Sequence, residues 1–188
     1  MSEPARESSK RLTFEDVAGL DPDHDAGELD HGVWVPVTKN TWKHGELVAN
    51  IAFLLKLWAR ANPGWSVSAA DPGTKLSRDP DVLRGPDVAV VRADRVPTGR
   101  GADGWLDGAP DLVVEVIGDA QTVTSAIEKA GEYLAAGARV AWLVDAESGR
   151  VIVITAPDHT RVVGAAGEIE AGDALPGLRV LVADIFAR

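Results

Sequence analysis

The sequence predicts a single α/β domain organised on a central mixed β-sheet with helices packed across it. Three observations carry that expectation. Apolar runs at 88–91, 112–117 and 140–144, each bounded by Pro, Gly or Asp and interrupted only by Glu115, have the length and near-continuous hydrophobicity of strands buried on both faces. Between the last two lies an amphipathic segment near 123–136, with Val123, Ile127, Ala130 and Leu134 on one stripe, which reads as a crossover helix. A longer helix is expected over 42–60, where Leu47, Val48, Ile51, Leu54, Leu55 and Trp58 recur on one face before Asn62-Pro63-Gly64 stops it.

The remaining elements follow from local signals. Thr13 and Asp16 form a capping box, with Leu12 and Val17 as a hydrophobic staple and Gly19 as a stop, so a short helix is expected there. Glu28 to Val37 reads as a hairpin turned by Asp30-His31-Gly32, and Pro36 suits an edge strand. Short strands are expected at 65–68 and 73–77, a polar turn at 78–83, and an aperiodic loop at 92–110. A hairpin at 151–155 and 161–163 and a short helix at 182–186 close the chain.

With 188 residues the chain can bury one good core, and no linker divides it. Residues 1–10 are polar and charged, so the expectation is a disordered tail at 1–10 and one domain over 11–188. There is no cysteine, which excludes disulfides, thiolate metal sites and cysteine nucleophiles. The first residues carry no apolar leader and no run approaches a bilayer's thickness, so no membrane partner and a cytoplasmic location are expected. The net charge is -10 and no basic cluster stands out, whereas proteins that grip nucleic acid usually display one. Most of the acidic excess reads as solvated surface, with a share left for a cation site.

The anomaly in the core is Glu115, set between Val114 and Val116 in an otherwise apolar strand. A buried carboxylate without a partner costs several kcal/mol, so it must be paired, protonated or bound to a metal. Asp87, at the entry of the preceding strand, is its natural companion. Two carboxylates at the same end of neighbouring strands repel unless a cation lies between them, and an all-oxygen site suits Mg²⁺ or Mn²⁺. Satisfaction of both by arginine or backbone donors is the plainer reading. Lys129 lies roughly 130° from the centre of the predicted helix stripe, so periodicity places it in solvent beside Glu128 and Glu132, while Tyr133 lies nearer the boundary and packs. Glu28 is a strand glutamate of a kind usually exposed, and His44 extends the buried face of the long helix toward its N-terminus. His24, His31, His44 and His159 show no zinc spacing, and there is no phosphate-binding glycine loop or nucleophile elbow.

Several stretches together resemble the restriction-endonuclease-like superfamily, the PD-(D/E)XK nucleases, and within it the Uma family of restriction endonucleases. The resemblance is carried by Gly-Pro-Asp-Val-Ala-Val-Val at 85–91, Pro-Asp-Leu-Val-Val-Glu-Val at 110–116, and Glu-Lys-Ala-Gly-Glu-Tyr-Leu-Ala-Ala-Gly at 128–137 followed by Trp-Leu-Val-Asp at 142–145. It implies a restriction-endonuclease-like central mixed β-sheet flanked by helices, with Asp87 and Glu115 as ligands of a divalent cation, Mg²⁺ or Mn²⁺. The superfamily's lysine two residues after the glutamate falls on Ile117; the Uma pattern takes it from the next helix, at Lys129. Glu28 matches the upstream acidic position and His44 the histidine opening the long helix. Departures are Gly118-Asp119-Ala120 in place of a Ser-Pro-Ser type turn, and Thr124 or Ser125 where an acidic residue often stands. The activity implied is metal-dependent hydrolysis of phosphodiester bonds, with nucleic acid, DNA first, as substrate. A homodimer would suit a duplex, whose two strands need two sites or two passes. The alternative, favoured by the acidic balance and the altered turn, is a non-catalytic dimeric binding module on a nuclease-like fold.

Overall fold

The computed structural model describes residues 11–20, 26–118 and 121–187; the tail expected at 1–10 lies outside them. In chain order the elements are α1 (Phe14–Val17), β1 (Gly27–Asp30), β2 (Val33–Pro36), α2 (Trp42–Ala61), β3 (Trp65–Ala69), β4 (Thr74–Ser77), β5 (Val82–Arg84), β6 (Val88–Arg92) and β7 (Leu106–Asp107). They continue with β8 (Leu112–Ile117), α3 (Val123–Ala135), β9 (Val140–Asp145), β10 (Arg150–Ala156), β11 (His159–Val163), β12 (Glu168–Glu170), β13 (Arg179–Leu181) and α4 (Val182–Ile185). Among the described residues no helix is long and apolar enough to cross a membrane.

The central sheet has six strands in the order β11-β10-β9-β8-β6-β3. It is mixed, because β8 and β9 run parallel across the α3 crossover while β6 pairs antiparallel with β8. Alternation along each strand divides its side chains between two layers. Val88, Val90, Val114, Val116, Val140 and Trp142 face Leu47, Ile51 and Leu55 of α2, in the large core that Leu175, Leu178, Val182 and Ile185 also enter. Ile117, Ala141, Leu143, Ile152 and Ile154 face Ala126 and Ala130 of α3 on the opposite side. Glu115 shares the face of Val113 and Ile117, so it points toward α3.

The second sheet has the order β2-β1-β5-β4-β7 and puts β2, with Pro36, at an edge as expected. His31 and Gly32 make its two-residue turn with φ of 49° and 83°, the pair of positive values that matches the twist of a hairpin. Phe14 and Val17 of α1, Leu29 and Leu83 form its small core, against which Leu12, Trp34 and Trp105 pack. Both hydrogen bonds of the Thr13–Asp16 capping box are present.

Some elements depart from expectation. β5 overlaps the end of the predicted polar turn and runs one residue beyond it, and the loop at 92–110 contains two short 3₁₀ turns and the two-residue β7, which runs parallel to β4. β12 and β13 form a further hairpin. Each of these strands has three residues or fewer, too short for period-two alternation to register. In α3 the buried face is Ala126, Ala130 and Tyr133, all fully buried, while Val123 and Ile127 of the predicted stripe are 39% and 43% exposed. Two alanines let the helix settle close to the sheet, which turns the larger aliphatic side chains out to the flank.

Candidate active site

Strand pairing brings the two carboxylates together. Val88 lies opposite Val114 in the antiparallel register, so the next step along each strand sets Asp87 beside Glu115. Both side chains are buried. Asp87 is fixed at both oxygens: His44 Nε2, from the first turn of α2, is 2.9 Å from Oδ1, and the Val116 N–H donates to Oδ2 at 2.6 Å. His44 reaches this point because Thr41 caps α2, its hydroxyl accepting from the His44 N–H at 3.3 Å.

Lys129 reaches the same cluster, against the solvent position that the predicted stripe gave it. Measured from Ala126 at 100° per residue, Lys129 stands only about 60° around the helix, on the flank of the buried face. Its Nζ lies 3.1 Å from Glu115 Oε1 and 2.9 Å from Glu28 Oε1. Glu28 is held in turn by the Gly85 N–H at 2.9 Å and by Arg84 Nη1 at 3.3 Å. The Lys129 ion pairs therefore run to Glu115 and Glu28, with His44 pairing Asp87.

Two contributors escaped the sequence reading. Arg84, buried in β5, spreads its guanidinium over Glu28, Asp30 at 2.9 Å and Glu132 at 2.8 Å. Asp71 lies on the cleft wall in a turn where Ala70 and Asp71 have φ of 64° and 56°. A turn aspartate has no strand or helix pattern to mark it, and a three-residue strand gives Arg84 none.

The electrostatics follow from this packing. Burial pushes the Glu115 carboxyl up to about 7, against the attraction of Lys129 and with the charges of Asp87 and Glu28 adding to the rise. For Lys129 burial acts to lower the pKa, but the charges of Glu115 and Glu28 outweigh it and hold the ammonium above its ordinary range. The hydrogen bond that the His44 ring donates to Asp87 raises the pKa of His44. Asp71 is open to solvent by area, yet desolvation in the concave cleft and the Asp87 charge push its carboxyl up. The site opens into a cleft of about 860 Å³ between the two sheets, lined also by Trp34, Lys39, Trp105 and Gln121.

The residues fit a hard divalent cation. Despite its 3.1 Å approach to Lys129, Glu115 Oε1 receives no aligned hydrogen bond, so a buried carboxylate oxygen is left short of partners. Asp87 keeps one lone pair on each oxygen after its two protein donors, and all the acidic groups offer oxygen. Two carboxylates with water filling the remaining positions is a usual arrangement for Mg²⁺. Among the described residues, the group of three whose ligand atoms all lie within 4.8 Å of one another is Asp30, His31 and Glu132. There the Arg84 guanidinium already pairs with both carboxylates, so their charge is partly offset by the protein itself.

No curated protein matches the chain. Among solved structures, one described as a "putative nuclease belonging to DUF820 from Anabaena variabilis ATCC 29413" superposes with a TM-score of 0.79 at 19% identity, over 93% of this chain and 97% of that one. At that identity the likeness shows the fold. The profile of the Uma2 family, described as "Putative restriction endonuclease", matches residues 12–183. That span runs from the residue before the α1 cap into α4 and takes in Glu28, His44, Asp87, Glu115 and Lys129; the chain belongs to the Uma2 family.

Proposed function

We propose that this protein is a divalent-metal-dependent nuclease that hydrolyses phosphodiester bonds in nucleic acid, with DNA the first substrate to test. The observation that carries the reading is the placing of Lys129 Nζ 3.1 Å from Glu115, a buried carboxylate set beside Asp87 at the end of two paired strands. Asp87 and Glu115 would hold Mg²⁺ or Mn²⁺, which when bound lowers the pKa of a coordinated water and offsets charge on the phosphoryl group. Lys129 supplies a fixed ammonium at the same place, suited to orienting the attacking water or to neutralising phosphate oxygen. Glu28 anchors that ammonium from the other side, with one oxygen already engaged by the Gly85 N–H and Lys129, and so acts as a positioning residue. His44 does the same for Asp87. The absence of cysteine suits the reducing conditions of the cytoplasm, where we place the protein.

Calorimetric titration with Mg²⁺, followed by cleavage assays on circular single-stranded and duplex DNA, tests the proposal. Heat that disappears in Asp87→Ala, together with cleavage that disappears in Glu115→Gln, supports it. No heat at millimolar metal and no cleavage by the unaltered protein would leave the non-catalytic binding module in its place.

A further inference from the structure

The outward face of α2 carries a pattern that no part of the described chain covers. Trp42 is 91% exposed, Phe53 61% and Leu57 47%, unusual values for three large apolar side chains on one side of a helix. With Gly45, Ala49, Lys56 and Arg60, also exposed, they follow three- and four-residue spacing along one side of the 20-residue helix. Trp42 does not line the cleft. Among the described residues, none of the ion pairs involves Glu46, Lys56 or Arg60.

The order of these residues is complementary to its own reverse. If a second α2 is laid antiparallel with Ala49 opposite Phe53, then Gly45 meets Leu57, Glu46 meets Lys56 and Trp42 meets Arg60, each pair occurring twice. Small faces large at two layers, opposite charges meet at the next, and the ends offer a cation over an indole ring. A Cβ built on Gly45 would meet nothing within 4 Å, so space is open there for the second copy's Leu57. Parallel pairing in the same register would set Glu46 against Glu46 and Lys56 against Lys56, and so works against itself.

We infer that α2 is a self-association face through which two copies of this chain pair antiparallel about Ala49 and Phe53. The interface is isologous, so it closes at two copies. It does not depend on the nuclease reading, because His44 and the cleft lie on other sides of the helix.

Sedimentation over ~1 to ~100 µM, a range that brackets weak homodimers, tests this with the full chain. The expected result is a concentration-dependent rise from the 19.8 kDa chain mass to twice that value. Phe53→Glu, at an exposed position where folding is not at risk, should weaken association by ~100-fold or more, as a central anchor does. Glu46→Lys alone sets like charges face to face twice and should weaken it ~10-fold; adding Lys56→Glu should restore it to within about threefold. Circular dichroism on each variant confirms that the fold is retained. A single species at the chain mass up to ~100 µM overturns the inference. So does a dimer indifferent to Phe53→Glu, which would use another surface, or a charge swap that fails to recover, which would exclude this register.

Discussion

Replacing Lys129 by methionine keeps the side-chain volume and removes the cation that faces Glu115 and Glu28 at 3.1 and 2.9 Å. The consequence depends on pH in a way the structure fixes. Glu115 titrates near 7 in the fold against 4.5 as its ordinary value, so the fold prefers its protonated form. Its contribution to stability is full below pH 4.5, declines as pH rises, and is flat beyond about 7. Without the attraction of Lys129 the folded pKa climbs further, to roughly 8–9, the upper range seen for buried glutamates. The decline then continues over one to two more pH units, at about 1.4 kcal/mol each. Lys129→Met should therefore lose about 1.3–2.3 kcal/mol more at pH 9 than at pH 6, in addition to a constant offset from the lost Glu28 contact. Urea unfolding at both pH values, in buffer with chelator so that no cation occupies the site, measures the difference. An equal loss at the two pH values would refute the pairing of Lys129 with a protonatable Glu115. The double variant Lys129→Met/Glu115→Gln should show no such pH dependence.

Three further outcomes are expected. Lys129→Ala should lower metal-dependent DNA cleavage by ~10² or more, the scale for losing a group that stabilises a transition state, measured as kcat/KM on a plasmid substrate. Asp145 is held below its ordinary pKa, chiefly by the Ser148 hydroxyl and then by the backbone N–H groups of Ser148 and Glu147, at 3.1 and 3.0 Å. It thus stabilises the fold above the ordinary value of 3.8 and loses that effect as pH falls through its depressed one; Asp145→Asn should lower the Tm at neutral pH and stop doing so once acid has protonated the wild-type carboxyl. A Cβ on Gly73 would stand 2.2 Å from the Trp105 ring, so Gly73→Ala should cost about 1–3 kcal/mol through overpacking, read from denaturant midpoints; an unchanged midpoint would show that Trp105 moves freely.

The parts legible in the sequence were those where one physical demand acts alone. β8 is legible at 112–117 because a strand buried on both faces leaves a near-continuous apolar run, and Glu115 is conspicuous because nothing else in that run is polar. Asp87 followed from register once β6 was placed. Lys129 was hidden from periodicity because hydrophobicity selects Val123 and Ile127, whereas packing space selects Ala126 and Ala130. Only the family resemblance pointed to it. Arg84 and Asp71 lie in a three-residue strand and a turn with positive φ, where neither alternation nor helical spacing exists. Their roles are visible only through partners distant in the chain.

That distance has a consequence for how the site assembles. Glu28, His44, Asp87, Glu115 and Lys129 come from five segments, and each of the contacts His44–Asp87, Asp87–Val116 and Lys129–Glu28 joins residues far apart in sequence. The β1–β2 hairpin and the β8–α3–β9 unit can form from neighbouring residues, but the lysine meets Glu28 only after the second sheet docks against α3. Refolding should therefore show secondary structure first and the assembled site last, with the Lys129–Glu28 ion pair marking the closing of the cleft.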